Sequence, residues 1–159
     1  FLENEADKII VDYGHHPSFG GLALQLDAVG YAQLVGPEWG MDDPTVSKFE
    51  RDMQLRVPGA GPERFAARAQ FLLGPQRQQW LDWRAAELAR FYSHVHGALA
   101  RLRPGVPLYL TTSHLFDHPH LKHELRPKLP DQAKIIPTLL KLGIQPNMFR
   151  ENPDKFRDP

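Results

Sequence analysis

Two short apolar runs, separated by a long stretch of helical pattern, restrict the fold more than any other feature of the sequence. The runs are Gly20–Asp27 and Val106–Thr112. Each follows turn residues, and their length and composition are typical of strands buried on both faces, as in parallel sheets. Parallel neighbours require a long connection, usually helical and right-handed. We therefore predict two parallel strands joined by a right-handed helical crossover.

Alternation along the two predicted strands separates their side chains into two faces. One face carries the leucines, namely Leu22, Leu24, Leu26, Leu108 and Leu110. The other face carries small, polar and aromatic residues, namely Ala23, Gln25, Asp27, Tyr109 and Thr111. If the leucines pack against helices, Gln25 and Asp27 point to the opposite side of the sheet.

Helical periodicity accounts for most of the remaining chain. We predict helices near residues 1–13, 43–53, 62–73, 76–103 and 136–142, with Asp42 or Asp43 capping the second and Gly143 ending the last. Expected apolar stripes include Ile9 and Tyr13 in the first helix and Phe65 in the third. The tail from Gln145 to Pro159 is polar and has no strand pattern. An uncapped helix at the first residue suggests a chain cut from a longer protein.

Composition excludes several classes of function. Lysine plus arginine and aspartate plus glutamate both number 19, so the formal net charge is zero. That balance argues against a nucleic-acid partner, which requires a basic face, and against a polybasic membrane surface. No apolar run approaches the roughly 18 residues of a spanning helix. The chain has no cysteine, which rules out disulfides, thiol nucleophiles and cysteine-ligated metals.

Three segments together resemble the bacterial glycosyl hydrolase-like family 10 proteins. The first is the strand Gly20-Gly21-Leu22-Ala23-Leu24-Gln25-Leu26-Asp27, similar to the family's DG(I/L)xLD strand. The second is the acidic, aromatic loop Pro37-Glu38-Trp39-Gly40-Met41-Asp42-Asp43. The third is a WxxWR helix, here Trp80-Leu81-Asp82-Trp83-Arg84, which ends at Arg103-Pro104 before the next strand. The resemblance covers about residues 13–112.

The resemblance implies an α/β fold, with residues 1–159 forming a single segment from the central part of a (β/α)8 TIM barrel. Such a partial barrel segment would contribute two parallel strands and several helices. It further implies a glycoside hydrolase-like activity on an oligosaccharide or polysaccharide, an exported protein, and the rest of the parent barrel as a partner. A second catalytic carboxylate would come from a later strand, so the segment alone is expected to be inactive. No cofactor or metal is expected.

Active sites of barrels lie at the carboxyl ends of the strands, which identifies the candidate residues. Asp27 ends the first strand and is the candidate catalytic carboxylate, as acid or nucleophile. Glu38 beside Trp39 suits a sugar subsite, because sugar rings stack on indoles and hydroxyls bind carboxylates. The further candidate substrate-binding residues are Gln25, Tyr31, Tyr109 and His114.

Structural roles are the alternative interpretation of the same residues. Asp27 could cap a turn, and Trp39 could anchor its own loop. Trp80 and Trp83 are predicted to be core residues, and Arg84 to pair with a carboxylate or cap a turn. One alternative function is a non-catalytic carbohydrate-binding or interaction domain. It is favoured by Ala28, which stands where the family often has an acidic residue or an arginine. The other alternative is a small helical interaction domain. A zinc site is the weakest hypothesis, built from His114, Asp117, His118, His120 and His123.

Overall fold

The computed structural model describes residues 2–27, 32–115, 135–151 and 156–157. Within them the helices are α1 (Leu2–Tyr13), α2 (Asp43–Met53), α3 (Arg64–Leu73), α4 (Arg77–Leu102), α5 (Ile135–Lys141) and α6 (Pro146–Arg150). The strands are β1 (Leu22–Asp27), β2 (Leu108–His114) and β3 (Phe156–Arg157). The predicted long helix is confirmed to within one residue at each end.

The strands β1 and β2 pair in parallel, as predicted. Leu22 pairs with Leu108 and Leu24 with Leu110. The short β3 pairs in parallel with the other edge of β2, so the described strands follow the order β1-β2-β3. The prediction of two strands and a tail without strand structure is therefore wrong at residues 156–157. A two-residue strand is made by main-chain pairing and needs no side-chain pattern, so periodicity could not reveal it.

Alternation in β1 sorts the side chains as predicted, but the prediction of burial on both faces is wrong. Leu22, Leu24 and Leu26 are buried, whereas Ala23 and Gln25 are exposed and Asp27 is half-buried. In β2, Leu108 and Leu110 are buried, whereas Tyr109 and Thr111 are half-buried. The reason is that the helices pack on the leucine face, while within the described part of the chain the other face of β1 stays open to solvent.

Helices α1, α4 and α5 contribute to one core on the leucine face. Ala6 and Ile10 of α1, Tyr92 and Leu99 of α4, and Leu139 of α5 belong to the same buried cluster as the strand leucines. A second core forms away from the sheet, where α2 and α3 pack on the first half of α4. Its buried members are Met41, Val46, Phe49, Leu72, Trp80 and Trp83. Helix α4 therefore joins the two cores.

Hydrogen bonds from its end and from near its middle show that α4 runs antiparallel to β1. Arg103, at the end of α4, donates to the carbonyl oxygens of His16 and Pro17 at 2.7 and 3.2 Å, and these residues precede β1. Tyr92 donates to the carbonyl oxygen of Ala32, which follows β1. The first half of α4 thus lies at the carboxyl end of the strand. The interpretation of His15-His16-Pro17 as a structural connection agrees with these contacts.

Some helix faces differ from the predicted stripes. Ile9 and Tyr13 are 40% and 62% exposed, and Phe65 is 50% exposed, because these three side chains lie outside both cores. The cap of α2 is as predicted, since Asp42 accepts a hydrogen bond from the Thr45 main-chain nitrogen at 3.0 Å. None of the helices in the described ranges is long and apolar enough to span a bilayer.

Candidate functional site

Asp27 lies at the carboxyl end of β1, beside the end of β2. It pairs in register with His114, after an irregularity in the ladder that follows the pair of Gln25 and Thr111. An extra residue on one strand turns its neighbours, and such bulges are frequent next to active sites. Asp27 is half-buried and Gln25 is exposed, so both can reach a ligand from the open face of the sheet.

A buried glutamine, which no pattern in the sequence indicated, supports the Asp27 end of the strand. The side-chain amide of Gln33 donates to the carbonyl oxygen of Asp27, and Gln33 is only 8% exposed. Its Oε1 atom is buried and has no hydrogen-bond partner among the described residues. A glutamine in a loop carries no periodic signal. Its role follows from a tertiary contact between its side chain and the strand end.

Tyr109 lies on the open face, close to the start of β1. Gly21 has a φ of 150°, and a Cβ atom there would lie 2.8 Å from the Tyr109 ring and 2.6 Å from the Pro107 carbonyl oxygen. Only glycine allows this approach of the tyrosine ring to the backbone. Tyr109 thus covers the amino end of β1, away from Asp27, so the prediction that these two residues share one site is wrong.

Several predicted site residues lie outside the described residues. These are Tyr31, the side chain of His114, and the candidate zinc ligands Asp117, His118, His120 and His123. Within the described ranges, no group of three or more histidine, aspartate or glutamate side chains could hold a metal ion.

A cleft opens between the loop that follows β1, helix α2 and the first half of α4. Its volume is about 290 Å³, and its lining includes Leu34, Val35, Trp39, Lys48, Trp83 and Glu87. Trp39 is 64% exposed and Val35 is 57% exposed, so two large apolar side chains line it while remaining in contact with water. Because α4 begins at the carboxyl end of β1, the cleft lies at the same end of the sheet as Asp27.

Glu38 does not line this cleft, contrary to its predicted partnership with Trp39. Its carboxylate folds back over Gly36. There it lies near Arg84, which donates to the carbonyl oxygens of Val35 at 2.6 Å, Gly36 at 3.1 Å and Lys141 at 3.1 Å. Burial lowers the pKa of Arg84 to about 10, and the Glu38 charge opposes that shift. Of the two roles predicted for Arg84, pairing with a carboxylate or capping a turn, its hydrogen bonds confirm the second.

The carboxylate that does line the cleft is Glu87 of α4. It forms ion pairs with Lys48 of α2 and with Arg90. Lys48 lies 6.0 Å above the ring of Trp83, whose indole nitrogen donates to Asp52 at 2.8 Å. The polar rim of the cleft is therefore a set of paired charges with little net charge.

Trp80 and Trp83 are core residues, as predicted. Trp80 is fully buried, Trp83 is 7% exposed, and Phe49 packs edge-on against both rings. The Trp80 indole donates to the Pro37 carbonyl oxygen at 2.9 Å and so fastens the loop to α4. These tryptophans form the base of the cleft, and Trp39 forms its exposed wall.

Asp42 and Asp43 have structural partners, in line with their predicted role at the helix start. The Thr45 main-chain hydrogen bond lowers the pKa of Asp42. Arg68, which donates to Asp43 at 2.6 Å and to the Met41 carbonyl oxygen at 2.8 Å, lowers the pKa of Asp43. These contacts fix the start of α2 against α3.

No protein-family model, curated protein sequence or solved structure matches this chain.

Proposed function

We propose that the chain is a segment of a glycoside hydrolase-like (β/α)8 barrel that binds an oligosaccharide or polysaccharide at the carboxyl ends of its strands. The observation that supports this most is the combination of strand order and helix placement. Among the described residues, the strands β1, β2 and β3 are parallel neighbours in chain order, and α1, α4 and α5 all pack on the leucine face.

Doubly wound sheets have a different arrangement. Their strand order reverses at a switch point, and their helices cover both faces. In a barrel the order is sequential, all helices lie outside, and the inner face carries the alternate side chains. Under this proposal, the open face of β1, with Gln25 and Asp27, would be that inner face.

Asp27 is the candidate catalytic carboxylate within this proposal. A carboxylate at a strand end can protonate a glycosidic oxygen or attack the anomeric carbon, given a second carboxylate about 5–9.5 Å away. The side-chain amide of Gln33 fixes the main chain of Asp27 by a hydrogen bond to its carbonyl oxygen. The exposed amide of Gln25 can bond sugar hydroxyls. The second carboxylate would be supplied by a later strand of the parent barrel.

The test is Asp27→Asn in the full-length protein, assayed for hydrolysis of a panel of neutral polysaccharides. Turnover should fall by about 100-fold or more, with the free energy of unfolding changed by less than about 1 kcal/mol. Asp12→Asn, an exposed carboxylate in α1, is the matched control and should change neither. Unchanged turnover with a clear loss of stability would identify Asp27 as a turn cap and remove it from the site.

A non-catalytic carbohydrate-binding domain is the second candidate. It is favoured by Ala28, which stands where the resembling family often has an acidic residue or an arginine. In that case wild-type protein binds glycans without hydrolysing them. Asp27→Asn then weakens affinity by about 1–2 kcal/mol for each hydrogen bond lost.

A further inference from the structure

The cleft at Trp39 has the composition of a site for one sugar ring. Leu34, Val35 and the edges of the buried tryptophans provide an apolar base, and Trp39 provides an indole that is 64% exposed. Fixing a large aromatic side chain in water gains little for folding, whereas it provides a rigid apolar surface for a ligand. The volume of about 290 Å³ is at the lower end for ligand sites, which suits a single ring better than a larger group.

The charges around the cleft favour a neutral ligand. Lys48 and Glu87 pair with each other at its rim, and Arg84 is occupied by three main-chain carbonyl oxygens. An anionic ligand would have to compete with Glu87 for Lys48, and a cationic ligand with Lys48 for Glu87. A polyhydroxylated ring can bond both members of the pair without separating them, and it can stack its apolar face on the indole.

We infer that the Trp39 cleft is a subsite for a neutral pyranose ring, separate from the Asp27 end of β1. The inference rests on the proposed function, because that function supplies the carbohydrate. If the Trp39 cleft is such a subsite, the carbohydrate is an extended chain that binds at two points on the same end of the sheet. Glu87, and not the neighbouring Glu38, is the carboxylate of this subsite.

The loop that forms the cleft is held in place before any ligand arrives. Arg84 bonds the carbonyl oxygens of Val35 and Gly36, and Trp80 bonds that of Pro37. Trp39 follows directly and therefore stands on a rigid support. A preorganised aromatic wall loses little conformational freedom on binding, which makes a weakly polar subsite effective.

The experiment measures binding of neutral hexasaccharides to the full chain by calorimetry, with glucose, xylose, mannose and N-acetylglucosamine as the repeating units. At least one should bind the wild type and quench tryptophan fluorescence. Trp39→Ala should weaken that binding by about tenfold or more, and Trp39→Phe, which keeps a flat ring, by less. Tyr13→Ala is the matched control, since Tyr13 is 62% exposed on α1, and it should leave affinity unchanged.

Hexagalacturonate, an anionic chain of the same length, should bind more weakly than the neutral sugars. The inference is overturned if none of the neutral hexasaccharides binds, or if the affinity of Trp39→Ala equals that of the wild type. Asp27→Asn separates the two proposals. Binding that depends on Trp39, without any hydrolysis, supports the subsite and contradicts the catalytic role of Asp27. Hydrolysis that depends on Asp27 but not on Trp39 supports the catalytic role and contradicts the subsite.

Discussion

The guanidinium of Arg84 donates a hydrogen bond of 2.6 Å to the main-chain carbonyl of Val35, 49 residues earlier in the chain. The same side chain also bonds Gly36 and the carbonyl of Lys141. One buried arginine thereby joins α4, the loop after β1 and the end of α5. The shape of the cleft depends on this arrangement, because Arg84 binds the main chain of Val35, which lines the cleft, and of Gly36, three residues before Trp39.

Replacing Arg84 by methionine should destabilise the protein by about 2–4 kcal/mol, because three carbonyl oxygens that are buried or partly buried each lose a hydrogen bond from the guanidinium. Urea unfolding followed by circular dichroism measures the change. Arg77→Gln, at an exposed position of the same helix, should stay within about 0.5 kcal/mol of the wild type. A wild-type midpoint for Arg84→Met would contradict the role of Arg84 in holding the loop.

Asp42→Asn should reduce the loss of stability at acid pH. The hydrogen bond from Thr45 lowers the pKa of Asp42 in the folded state. The stabilisation it provides is therefore complete above the unfolded pKa, near 4, and is lost as the pH falls through the lower folded value. Asparagine also caps helices but does not titrate, so the variant should match the wild type at pH 7 and show a shallower decline between pH 5 and 2.

Asp42→Ala provides the comparison for this effect. It removes the cap at every pH and should cost about 1 kcal/mol at pH 7. Thermal melts across the pH range separate the three proteins. If the asparagine variant and the wild type decline in parallel, the cap does not contribute to acid sensitivity.

Two glycines should respond to alanine in opposite directions. Gly97 lies within α4, where the nearest atom to an added Cβ is an Arg101 side-chain nitrogen at 3.9 Å. Gly97→Ala should stabilise by about 0.5–1 kcal/mol through helix propensity. Gly143 has a φ of 76°, and its Cβ would lie 2.7 Å from Leu34. Gly143→Ala should destabilise by about 1–3 kcal/mol. Chemical denaturation measures the free energy of unfolding of both variants. If it changes in the same direction in both, the local geometry described for one of the two glycines is wrong.

Tyr92→Phe should destabilise by about 1–2 kcal/mol, because the buried carbonyl of Ala32 loses a donor from the fully buried tyrosine hydroxyl. Burial also raises the pKa of Tyr92, so its phenol stays protonated through the usual pH range. Tyr13→Phe, at an exposed position, is the control. If both variants melt at the same temperature, the Ala32 contact adds nothing to stability.

Local chemistry decided the elements that the sequence predicted correctly. The leucine alternation in β1, the Asp42 cap and the boundaries of α4 depend on neighbouring residues and on burial of one face. The parallel pairing of β1 and β2 was also predictable, since a long helical connection leaves few alternatives. Asp27 could be placed at a strand end for the same reason.

Contacts between distant segments decided the rest. Whether the second face of β1 is covered depends on what packs there, so alternation could not distinguish an exposed Gln25 from a buried one. The carboxylate that lines the cleft with Trp39 is Glu87 and not the neighbouring Glu38, because α4 passes the loop with Glu87 facing the cleft. This depends on the placement of the helix and not on adjacency in the chain. Sequence by itself determined the five longer helices, the strands β1 and β2, and the apolar face of β1. Only the tertiary structure decided which polar side chains meet, because hydrogen bonds such as that of Arg84 with Val35 join residues whose separation along the chain leaves no periodic trace.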